Sequence, residues 1–178
     1  MKKYTLKSGK EILIREARKE DAAPLISYVK QVGAESDFLT FGAGEFNKTV
    51  AEEEAIIEAH RIALNRIFIL AELEGEIAGI LNINASAKSR TQHIATFGIT
   101  VQKKFWGMGI GGKLMAHMIE WCSFNPIIRK IDLEVLVNNE IAIKLYKKYG
   151  FEIEGTLRRH SFQNGQFIDS YAMGLLVD

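Results

Sequence analysis

The chain has 178 residues, 47% hydrophobic and 25% charged, with a formal net charge of +1. This length suits one domain, residues 1–178, with a sizeable core, and the balance excludes a disordered chain. The near-neutral charge argues against nucleic acid or an anionic membrane surface as partner, and no stretch reaches the roughly 18 apolar residues that span a bilayer.

Met1-Lys2-Lys3 leads into polar residues rather than an apolar signal core, so no signal peptide is expected. Tyr4–Leu6 and Glu11–Arg15 flank Lys7-Ser8-Gly9-Lys10 as an opening hairpin. Asp21 is placed to cap a helix with Leu25, Ile26, Val29 and Val32 on one face, and Pro24 falls in its tolerant first turn. From Gly33 to Asn47 no periodicity holds. This stretch reads as a loop whose Phe38, Phe41 and Phe46 either cover the core or line a pocket. Thr49-x-x-Glu52 is a capping box that opens a helix to about Leu64. Arg66–Leu73 and Ile77–Asn84 form a hairpin around Glu74-Gly75-Glu76, and Gln92–Val101 is the next strand.

After that strand come four glycines in six residues, Gly107 to Gly112, and then an amphipathic helix. Ile110, Leu114, Met115, Met118, Ile119 and Cys122 share its apolar face, and Asn125-Pro126 stops it. Cys122 therefore reads as a core thiol rather than a nucleophile. As the single cysteine it has no disulfide partner in the chain, which accords with a cytoplasmic location. Lys130–Val137 alternates as a strand, with Ile131, Leu133, Val135 and Val137 on one face and Asp132, Glu134 and Leu136 on the other. A helix follows from Asn138 or Asn139 to Tyr149 and closes at Gly150. Ile153–Phe162 and Phe167–Val177 flank Asn164-Gly165, a strong two-residue hairpin signal. The order predicts an α/β fold with a mixed, mostly antiparallel sheet and helices on both faces.

A glycine loop that feeds a helix is an anion site. Several N–H groups at the helix start lack carbonyl partners, and the helix dipole adds partial positive charge there. Three phosphate loops compete for the run. Gly107, Gly109 and Gly112 satisfy the dinucleotide pattern G-x-G-x-x-G, but Gln102 to Trp106 separate it from its strand. Gly107, Gly112 and Lys113 approach the nucleotide-triphosphate loop, but Leu114 stands where a hydroxyl should hold magnesium. The frame Trp106-Gly107-Met108-Gly109-Ile110-Gly111, with Gly112 after it, fits a third pattern. It resembles the coenzyme A pyrophosphate loop of the GNAT superfamily of N-acetyltransferases. In that family the first position is usually Gln or Arg, where this chain has Trp106.

A second stretch carries the same resemblance. Leu133-Glu134-Val135 leads to Asn139, Ala142 and Tyr146, and Gly150-Phe151 closes the pattern. Asn139 and Tyr146 are seven residues apart, about two helical turns, so both lie on one stripe with Ala142. The resemblance implies acetyl transfer from acetyl-CoA to a primary amine by direct attack on the thioester. It implies that main-chain groups of Ile99, Thr100 and Val101, with Asn139 and Tyr146, flank the pantetheine arm. It implies Tyr146 as general acid and Glu134 as general base, the latter matching the ribosomal-protein N-terminal acetyltransferases. His93 or a water relay is the rival base. The acceptor is expected between the Gly33–Asn47 loop and the last hairpin. Glu35, Asp37 and Glu45 are candidates for attracting an amine there, and Arg158 or Arg159 a carboxylate. A protein N-terminus, a polyamine and an amino acid all remain open as acceptor, as does a homodimer. His60, His117 and His160 show no ligand spacing, so no metal is expected. The competing function is a coenzyme A-binding sensor or assembly module without turnover.

Overall fold

The structure, a computed structural model, describes residues 1–177. It opens with two strands, β1 (Lys2–Thr5) and β2 (Glu11–Glu16), and two helices, α1 (Ala22–Glu35) and α2 (Val50–Ile62). Three strands follow: β3 (Ile67–Leu73), β4 (Glu76–Ala85) and β5 (Ile94–Val101). Helix α3 (Ile110–Phe124) leads to β6 (Lys130–Leu136), and α4 (Glu140–Lys148) leads to β7 (Glu152–Gln163) and β8 (Gln166–Leu176). One sheet takes all eight strands in the order β1-β2-β3-β4-β5-β6-β8-β7. Its pairings are antiparallel except β5 with β6. The final hairpin turns at Asn164 and Gly165, both at positive φ, as its two-residue loop requires.

The alternation along β3 shows why both faces are covered. Ile67, Ile69, Ala71 and Leu73 pack with Leu114, Met115 and Met118 of α3. Phe68 and Leu70 turn the other way, toward Leu25 of α1 and Ile57 of α2. A strand buried on both faces loses the polar half of its pattern, and β3 is accordingly almost wholly apolar. Cys122 is fully buried in the α3 core, and burial pushes its thiol up to about 12.

Two local expectations change. Asp21 sits at the start of α1 but its side chain does not cap it. Its carboxylate takes both guanidinium nitrogens of Arg15 at 2.7 Å and the Arg18 N–H at 2.7 Å. Burial opposes its charge, but these donors outweigh burial and hold the carboxyl below its ordinary value. Gly33 is helical rather than loop, because α1 runs on to Glu35. There an added Cβ would stand 2.9 Å from the Phe41 ring, so the missing side chain is what lets the loop fold back on the helix. Phe41 and Phe46 cover Tyr28, Val29 and Val32, whereas Phe38 is 42% exposed. The Thr49–Glu52 box forms with both of its bonds.

Candidate active site

The sheet parts between its two parallel strands. β5 and β6 pair only at Ile94–Lys130, Ala95–Ile131 and Thr96–Asp132, and beyond that the ladder stops. On its other side β5 stays paired with β4 as far as Val101. The ladder's parity then decides which main-chain groups face the gap. Gln102 donates its N–H to the Ala78 carbonyl, so Thr100 and Gly98 share that orientation toward β4. Ile99 and Val101 turn their N–H and C=O groups away from β4, into the gap. Helix α1 holds this strand end in place. The Tyr28 hydroxyl bonds the Thr100 hydroxyl at 2.9 Å, and Glu35 accepts the Lys103 N–H at 2.8 Å. Tyr28 is 3% exposed, and burial pushes its phenol well above the ordinary value. Tyr28→Phe is expected to cost about 1 kcal/mol, seen as a lower urea midpoint at unchanged slope. An unchanged midpoint would mean that the bond contributes nothing net.

The glycine loop lies directly beyond the open end. Gly107 and Gly109 have φ of 76° and 85°, where glycine is the ordinary choice, and an added Cβ at either would meet nothing within 4 Å. The first helical bond of α3 runs from the Lys113 N–H to the Gly109 carbonyl. The N–H groups of Ile110, Gly111 and Gly112 precede it and have no helical acceptor. An open, left-handed glycine cradle at a helix N-terminus fits a pyrophosphate. Trp106 bridges this loop to the strand: its indole N–H donates to the Val101 carbonyl at 2.7 Å while 47% of the residue stays exposed. Met108 is half-buried against the core. The Tyr149 hydroxyl donates to the Gly112 carbonyl at 2.6 Å and ties the start of α3 to the end of α4.

Across the gap, Asn139 caps α4, its side-chain oxygen accepting the Ala142 N–H at 3.2 Å. About two turns along, Tyr146 is 8% exposed and meets Phe97 edge-on at 5.8 Å and Phe151 at 6.0 Å. Burial pushes its phenol up to about 12. The hydroxyl makes no hydrogen bond to another described residue. Glu134 leaves β6 on the face opposite Leu133 and Val135, which pack in the core that includes Tyr146. The two candidate proton-transfer groups therefore flank the gap from opposite faces of the sheet.

Other candidates lie elsewhere. His93 precedes the closed end of β5, where its carbonyl accepts the Arg129 and Lys130 N–H groups. Six residues of extended chain, about 20 Å, separate it from Ile99. Glu35 is engaged with Lys103, and Glu45 accepts the Gly42 N–H at 2.7 Å. Asp37 and Arg158 are exposed, and the Arg159 guanidinium lies over the Phe167 ring at 5.2 Å. No group of three or more metal-ligating side chains occurs among the described residues. His160, weighed in sequence only as a metal ligand, stands 3.3 Å from Glu134 through Nε2. Its signal was slight, a lone histidine in the strand before Asn164-Gly165.

A sheet parted between parallel strands, with a glycine cradle and helix N-terminus at the opening, makes a slot with an anion site at its mouth. The family model described as Acetyltransferase (GNAT) family matches residues 35–151, and the chain belongs to that family. L-amino acid N-acetyltransferase AaaT of Escherichia coli (strain K12) is 41% identical over 105 residues, 59% of this chain. That match spans 65% of the relative's own length. The acetyltransferase of GNAT family from Streptococcus pneumoniae superposes with a TM-score of 0.91 at 38% identity, covering 94% of this chain and 99% of that one. An acetyltransferase from Salmonella typhimurium, solved with its cofactor acetyl-CoA, superposes with a TM-score of 0.82 over 94% of both chains. Its 18% identity shows a shared fold. No described helix is long and apolar enough to cross a membrane.

Proposed function

We propose that this chain transfers an acetyl group from acetyl-CoA to a primary amine by direct attack on the thioester. One observation carries the reading: β5 and β6 part after Thr96–Asp132, Ile99 and Val101 face that gap, and the open glycine cradle follows at the end of β5. The bound thioester supplies an activated acyl carbon and a thiolate leaving group. Everything else falls to the chain. The N–H groups of Gly107 to Gly112 hold the pyrophosphate. An N–H turned into the gap, from Ile99 or Val101, polarises the acyl carbonyl. Glu134 takes a proton from the acceptor, since an amine near pKa 10 is mostly ammonium at neutral pH. Tyr146 serves the leaving sulfur from the other face.

For the acceptor the reading favours an L-amino acid. AaaT's name points that way, and Arg158, exposed beside the bulge of β7, is free to meet a carboxylate. A panel of L-amino acids, spermidine and short peptides with free N-termini, scored by thiol release, tests this. Amino acids should rank first; release with only spermidine or peptides would overturn the choice of acceptor. Binding is tested separately by melting. Acetyl-CoA at 100 times its Kd should stabilise the fold by about 2.7 kcal/mol, or roughly 5–10 °C for a chain of this size. A shift with NAD or ATP–magnesium and none with acetyl-CoA would overturn the assignment of the cradle. A shift without thiol release for any amine would make the chain a coenzyme A-binding module.

A further inference from the structure

His160 belongs to no motif, yet the backbone is shaped around it. Along β7 the register shifts between Leu157, which pairs with Ser170, and Ser161, which pairs with Ile168. Three residues on β7, Arg158 to His160, thus answer one on β8, Asp169. Within this bulge Arg159 has a φ of 55°, a left-handed conformation that is strained for a non-glycine residue. It is held there from both ends. Asp169 accepts the Arg159 N–H at 2.8 Å, and the Arg159 guanidinium covers Phe167. Bulges and strained residues of this kind re-aim side chains at functional sites.

What this bulge aims is the imidazole. His160 Nε2 lies 3.3 Å from Glu134 Oε2 on β6, and Nδ1 lies 3.1 Å from Ser170 Oγ on β8. Ser170 is 1% exposed, and His160 is the one hydrogen-bond partner of its hydroxyl among the described residues. With its proton on Nε2, the ring can present that N–H toward Glu134 and accept the Ser170 O–H at Nδ1. Glu134 is itself half exposed on the strand, and His160 is its one ion-pair partner among the described residues.

We infer that His160 is the positioning residue of the base, acting through Glu134 to aim its free carboxylate oxygen at the acceptor. The inference rests on Glu134 as base. The experiment compares wild type, Glu134→Gln, His160→Ala, His160→Gln and the double variant Glu134→Gln/His160→Ala. Turnover, KM for acetyl-CoA and melting temperature are measured, with the most active member of the amine panel as acceptor. His160→Ala should lower kcat by roughly 10-fold, part of the ~10²-fold that misplacing a reacting group by about 1 Å costs. KM for acetyl-CoA and melting temperature should hold. His160→Gln, whose amide N–H can stand where Nε2 does, should recover most of the loss. On the Glu134→Gln background the His160→Ala change should be silent. Equal losses on both backgrounds, or a loss of stability with normal kcat, would overturn the inference. Wild-type turnover in Glu134→Gln would instead remove Glu134 as base. A depressed Glu134→Gln beside an unaffected His160→Ala would leave the base standing and remove His160 alone.

Discussion

Tyr146→Phe is expected to lower turnover between about 10- and 100-fold while affinity for acetyl-CoA stays within a few-fold. The substitution keeps the ring, and with it the edge-on contact to Phe97 and the packing on Phe151. Only the hydroxyl is lost, and no described residue loses a partner with it. The magnitude follows from acidity. Burial pushes the phenol up to about 12, so it is protonated throughout the neutral range and always a donor. The coenzyme A thiol has an ordinary value of about 8.5, well below this buried phenol, so full proton transfer is uphill. On the proposed function the phenol would therefore serve the developing thiolate chiefly as a hydrogen bond. Bonds to charged groups contribute about 1.5–3 kcal/mol, which is the 10- to 100-fold range. A fall in melting temperature with normal turnover in the folded fraction would reduce Tyr146 to a core residue.

Local chemistry made much of this legible in advance. The glycine run announced a loop feeding a helix, but the loop takes only Gly107 and Gly109, while Gly111 and Gly112 lie in the first turn of α3. The alternation of Leu133, Glu134 and Val135 correctly separated the face of Glu134 from the core. Asn164-Gly165 placed the last turn. Long-range pairing was not legible. Asp21 has the composition of a cap, but the guanidinium that claims it comes from β2. Glu35 looks like a free anion in sequence and is spent on a main-chain N–H 68 residues away. His160 was invisible because its meaning depends on a bulge, and nothing in Arg158-Arg159-His160 as a string predicts a left-handed residue. The same holds for Trp106, which in sequence is a departure from the family pattern. In the structure its indole answers the Val101 carbonyl that β4 leaves free.

Gly109→Asp is expected to abolish measurable binding of acetyl-CoA in a chain that still folds. Gly109 sits at φ 85°, where an ordinary residue costs about 1–2 kcal/mol, but Asp is among the side chains that tolerate this region best. Nothing lies within 4 Å of the added Cβ, so the protein itself does not clash. Gly109 is also the N-cap of α3, and an Asp there can accept from the open N–H groups of the first turn. Strain and capping thus oppose each other, and the melting temperature of the free protein should move little. Binding has no such offset. The carboxylate would take the donors meant for the pyrophosphate and add a like charge beside it. Two like charges about 4 Å apart repel by about 4 kcal/mol at an effective dielectric of 20, roughly a thousandfold in affinity. Gly109→Ala separates the causes, because it keeps the strain and omits the charge, and should weaken binding only a few-fold. If Ala lost as much as Asp, backbone conformation rather than charge would govern the cradle. Wild-type affinity in a folded Gly109→Asp chain, measured by calorimetry, would move the pyrophosphate away from α3 altogether.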